Sequence, residues 1–288
     1  SAGQAVLSSG LVPAVLAEQY AEGYWVEPGP GYLPKYRSSV WQVIFLPQFG
    51  AGYSHFTDKR IKAAGDYILD NARTSHGGFS MNAVPSGRIH CLQGNLCAAL
   101  MDLGFGSDAR LREAINWLAR SITGEGIAPA SERKADLRYL RSGNSAPGFA
   151  CSANGHMPCA WGAVKAMLAL GKVTMDDRTP LIQQAIETGQ EFLLGSDPSK
   201  ADYPMAYSTK PNRSWFKFGY PVGYVTDVLQ NLDALTALGS REESRLDAAV
   251  DFVLSKQDHL GRWMMEYTYN GKTWVDVEQK GEPSKWVT

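Results

Sequence analysis

Two short stretches concentrate the residues able to bind a metal or move a proton. "CSANGHMPCAWG", from Cys151 to Gly162, places Cys151, His156 and Cys159 within nine residues. "HCLQGNLC" holds His90, Cys91 and Cys97. Together they contain all four cysteines and two of the five histidines in 288 residues. Four cysteines are too few for a disulfide framework in a chain this long, and in a reducing compartment clustered Cys and His point to metal or to thiol reactivity. Three thiolates and one imidazole would close a structural zinc site. Leaving one position to water would make the zinc catalytic. The same thiols without metal could act as acid and base, and the plainest alternative is that a small apolar Cys fills crowded helix starts.

Something must bring the two stretches together, and an internal repeat supplies it. "AALMDLG" (98–104), "KAMLALG" (165–171) and "DALTALG" (233–239) superpose, with their glycines 67 and 68 residues apart. Each ends a run that is apolar on more than one face, the mark of a buried helix stopped by glycine. After each comes an amphipathic unit: "RLREAINWL" (110–118), "RLDAAVDFV" (245–253) and, more loosely, "PLIQQAIETGQEFLL" (180–194), and "RIKAAGDYI" (60–68) has the same spacing. Buried helices thus alternate with half-exposed ones, which predicts a closed double ring, one set of helices inside and the other outside.

"QDHLGRW" carries Gln257, Gly261 and Trp263 in the spacing Gln-x-x-x-Gly-x-Trp. With this QW-repeat spacing, the chain from about residue 40 to 288 resembles the squalene–hopene cyclase and protein-prenyltransferase β-subunit superfamily. The resemblance implies an all-α fold, an α/α toroid of about five helix pairs, in one domain spanning 1–288. In such a toroid the inner helices run parallel, so their starts share one mouth. Counted back from the aligned glycines, Cys159 and Asp227 superpose, with Cys91 one residue from the same place. Cys97 falls inside a helix and reads as core. The prenyltransferase β subunits hold a catalytic zinc at that mouth through Asp, Cys and His. Their Asp-x-Cys spacing is absent here, so the zinc expected is held by Cys91, Cys151 and Cys159 with His156 or His90. The Asp-x-Asp-Asp acid of class II cyclases is also absent, and Asp227 stands alone as either acid or helix cap.

Aromatic residues gather before the fourth inner helix in "RSWFKFGYPVGY". With Trp161, the side chains of Trp215, Phe216, Phe218, Tyr220 and Tyr224 suit an apolar substrate or a developing carbocation. The tail, with Glu266, Asp276 and Glu278 among turns, reads as a hairpin-like lid, and "PSKWVT" reads as the start of another helix. A net charge of -1 gives no drive toward nucleic acid. No apolar run is long enough to span a membrane, and the start "SAGQAVLSSG" lacks a signal pattern, so a cytoplasmic protein is expected. The functional expectation is an enzyme acting on an isoprenoid-like or other apolar substrate with a Cys/His zinc. Its alternatives are a metal-free dehydratase, isomerase or cyclase in which Cys159, Cys151 and Asp227 move protons, and a non-catalytic toroid that binds lipid or protein.

Overall fold

The computed structural model describes residues 2–128, 131–134 and 145–288. It is mainly helical. In chain order the helices are α1 (Ala2–Ser8), α2 (Leu11–Ala17), α3 (Ser39–Gln48), α4 (Lys59–Asn71), α5 (His90–Asp102), α6 (Ala109–Thr123), α7 (Ala160–Gly171), α8 (Pro180–Leu194), α9 (Val228–Ala237) and α10 (Asp247–Ser255). The one regular sheet element among the described residues is a two-stranded antiparallel pair, β1 (Ser145–Ala146) with β2 (Ala150–Cys151). The connection Ile127–Ala150 lies partly outside the described residues.

The two helix types of the repeat separate in space. The apolar helices pack side to side in the order α3, α5, α7, α9, and each packs on the amphipathic helix that follows it. α7 is buried almost all round, from Ala160 to Leu170, whereas α6 buries only one stripe, including Leu111, Ala114, Ile115, Leu118 and Ile122. The outer helices begin on side-chain caps: Asp58 for α4, Asp108 for α6 and Thr179 for α8, the last with Pro180 in the first turn. Gly104 (φ 102°) and Gly239 (φ 95°) supply the left-handed residues that release the chain after α5 and α9. Among the described residues four alternating pairs result, and the short α1 and α2 pack on each other beside α3.

α9 and α3 are bridged by loops. The Gln48 side chain accepts from Val222 N at 2.7 Å and donates to its carbonyl at 2.9 Å, and the Tyr220 hydroxyl donates to the Gln48 carbonyl. Tyr269 from the tail stacks on Tyr36 at 4.6 Å and packs on Phe45 at 6.2 Å. The helix start expected at "PSKWVT" is a single turn in which Thr288 N donates to the Ser284 carbonyl at 3.0 Å. Its Ser284 hydroxyl caps Trp286 N and Val287 N at 3.1 Å, and Trp286 stacks on Tyr220 at 4.7 Å. No helix among the described residues is long and apolar enough to cross a membrane.

Candidate active site at the inner-helix starts

The starts of α5, α7 and α9 carry the expected residues. Cys91 is the second residue of α5, Cys159 is the N-cap of α7, and Asp227 is the N-cap of α9. Asp227 caps through Oδ1, which accepts from Gln230 N at 2.9 Å. Its Oδ2 accepts from Gln230 Nε2 at 2.7 Å. The other end of the same amide, Oε1, accepts from Lys165 Nζ. One glutamine therefore joins a carboxylate on α9 to an ammonium on α7.

Both charges are buried. Asp227 is 2% exposed and Lys165 1%. Burial pushes the Asp227 carboxyl up to about 6, against the pull of the Gln230 hydrogen bonds and of Lys165. Burial pulls the Lys165 ammonium down to about 8, against the attraction of Asp227 and Cys91. An acid and a base moved toward neutrality from opposite sides can exchange protons with a substrate near pH 7.

The thiols form a second cluster beside this pair. The loop between Cys151 and Cys159 folds on itself, with Cys151 N donating to the Met157 carbonyl at 3.1 Å and Cys159 N to the Phe149 carbonyl at 2.9 Å. The Cys151 and Cys159 thiols are neighbours and share one proton between them. That sharing, with help from the Ala153 and Asn154 backbone N–H groups and from His156, lowers Cys151 to about 6 against its burial. The same pairing, with burial, raises Cys159. Cys91 links the clusters: burial and then the charge of Cys151 push it up to about 12, while Lys165 eases it down. Cys97 is fully buried inside α5.

The histidines do not complete a zinc shell. The His90 ring packs on Phe149 at 5.5 Å and lines a cavity with Arg88, Trp117 and Ser121, on the α6 side of α5. His156 sits at φ 64° on an exposed turn. Among the described residues, no group of three or more Cys, His, Asp or Glu side chains is placed to hold a metal ion. The donors named for Cys91, Cys151, Cys159, His156 and His90 therefore do not fit a zinc ion in this arrangement.

The aromatic set divides. Trp161 and Trp215 line a cavity of about 200 Å³ together with Cys151, Cys159, Tyr203 and Met205. Tyr224 packs on Trp41 at 5.0 Å, near Cys91, and its buried hydroxyl lies beside that of Tyr32. Phe216 and Phe218 face α10, meeting Phe252 at 5.7 and 6.1 Å, so they pack the outer layer. Tyr220 serves the bridge to Gln48. Sequence reasoning missed Lys165, Gln230 and Tyr267, the last lying beside Gln230 and Asp227. Lys165 had a signal, as the single charged residue in the otherwise apolar helix "AWGAVKAMLALG". A larger cavity, about 590 Å³, lies at the far ends of α5 and α7. Its walls carry the exposed Arg112, Lys172 and Asp177 and no aromatic ring among the described residues.

The chain matches no protein-family model, curated protein or solved structure.

Proposed function

We propose that this chain is a metal-free proton-transfer enzyme, an isomerase, dehydratase or cyclase, acting on a small apolar substrate at the shared mouth of an α/α toroid. The observation that carries the reading is the Asp227–Gln230–Lys165 relay, a buried acid and base tied through one amide. The alternating layers and the loop bridge between α9 and α3 support the toroid, and with it the likeness to the cyclase superfamily. Asp227 donates or removes the proton. Lys165 holds its charge, and Gln230 fixes the carboxyl's orientation. Cys91, Trp161, Tyr224 and Tyr267, all half-buried, form the surface the substrate meets.

The zinc reading is set aside because, among the described residues, no three Cys, His, Asp or Glu side chains are placed to share one ion. The non-catalytic reading is separated by experiment. Ligand recovered with the protein from its native host is supplied to pure wild type and to Asp227→Asn. Turnover by wild type that falls by at least about a hundredfold in the variant, with unchanged circular dichroism, supports proton transfer at Asp227. Undiminished turnover in the variant rejects it, and binding without turnover by either protein favours the idle toroid.

A further inference from the structure

Arg88 is 4% exposed, and among the described residues no carboxylate pairs with it. Its guanidinium lies 3.8 Å over the Trp117 ring, and Nε donates to the Pro85 carbonyl at 3.1 Å. Nη1 is buried with no partner. A buried cation without an anion is costly, and the face of an indole offsets only part of that cost. Burial accordingly lowers the guanidinium to about 10.

A second orphan lines the same cavity. His90 is 3% exposed and its Nε2 has no partner. Burial holds the ring down at about 4, against the Ser121 backbone, so the imidazole is neutral near pH 7. The cavity between these side chains, Gln93, Ser121 and Ser145 measures about 20 Å³. That exceeds the ~10–15 Å³ one water needs, and it restricts a ligand to a few atoms.

We propose that the Arg88–His90 cavity between α5 and α6 is a binding site for a small hydroxylated oxyanion of the hydrogencarbonate type. The charged oxygen accepts from Arg88 Nη1, and the remaining O–H donates to the neutral His90 Nε2. Formate satisfies the first contact only, and chloride lacks an O–H as well. This site lies on a different face of α5 from Cys91 and is independent of the proton-transfer reading.

The test titrates the full-length protein at pH 8 and fixed ionic strength with [¹³C]hydrogencarbonate, formate or chloride. Binding is followed by ¹³C line width and by the Arg88 Nε–H resonance in ¹⁵N-labelled protein. The expected result is saturable one-to-one hydrogencarbonate binding that shifts Arg88, with formate and chloride weaker. Arg88→Met keeps an apolar chain over Trp117 and should lose at least about tenfold in affinity, as expected for one charge-assisted hydrogen bond. Unchanged affinity in that variant overturns the site, as does equal binding of formate or chloride. Should the variant not fold, the wild-type Arg88 resonance decides: a saturable shift sustains the site and its absence overturns it.

Discussion

At the residue scale, the site depends on charges kept in unfavourable surroundings by one amide. Removing the ammonium with Lys165→Met takes away an attraction that lowers Asp227, so the carboxyl should titrate higher than about 6, by roughly one unit. Carboxyl-selective ¹³C titration measures this, and an unmoved value would show that the two groups are uncoupled. The thiols make a separate prediction. Cys151 is the one cysteine drawn toward thiolate, through the Cys159 hydrogen bond, and it is half-buried, so iodoacetamide should modify it first at pH 7. Cys159→Ala removes that bond and should slow modification by about tenfold or more. A peptide-mapped time course with Cys91 or Cys159 reacting first contradicts the assignment.

At the element scale, the register of the inner helices was readable because glycines end them at repeating intervals. The same intervals put Cys91, Cys159 and Asp227 at helix starts. The direction of each side chain was not readable from proximity in sequence. Successive helical residues point about 100° apart, so His90 faces α6 while Cys91 lies toward Cys151 and Lys165. Lys165 stood out as the one charge in an apolar helix, but the repeat does not show that Gln230, one helix further on, meets it. Phe216 and Phe218 sit in a loop, and a loop has no period from which to tell that they cover α10. The crossing of α5 and α7 sets the position of Lys165 and depends on Gly94. A Cβ there would lie 2.2 Å from the Lys165 carbonyl group, which is backbone and cannot swing aside. Gly94→Ala should therefore destabilise by about 3 kcal/mol through overpacking, read as a lower urea midpoint. Wild-type stability in this variant would show that the helices cross less closely.

At the scale of the whole molecule, the buried pair should tie stability to pH. The Asp227 folded-state value lies above the ordinary 3.8. The folded protein therefore holds this proton more tightly than the unfolded chain, and that advantage is present at low pH and lost as pH rises through about 6. The loss amounts to about 3 kcal/mol. Lys165 works in the opposite window: its value lies below 10.5, so its penalty is full below about 8 and fades as pH rises toward 10.5. Because the two groups share Gln230, these contributions are not additive. Urea unfolding of wild type and Asp227→Asn between pH 4 and 7 should show the wild type losing ground to the variant as pH rises, and parallel curves would contradict it.

The central claim is that Asp227 and Lys165 are a coupled acid and base poised around neutrality. Direct titration of both groups in the folded protein, Asp227 by its carboxyl ¹³C signal and Lys165 by its side-chain ¹⁵N signal, tests it without knowledge of the substrate. The account predicts transitions near 6 and near 8, each moving when the other residue is neutralised. Ordinary values, about 4 for the carboxyl and about 10.4 for the ammonium, with neither responding to loss of the other, would contradict it.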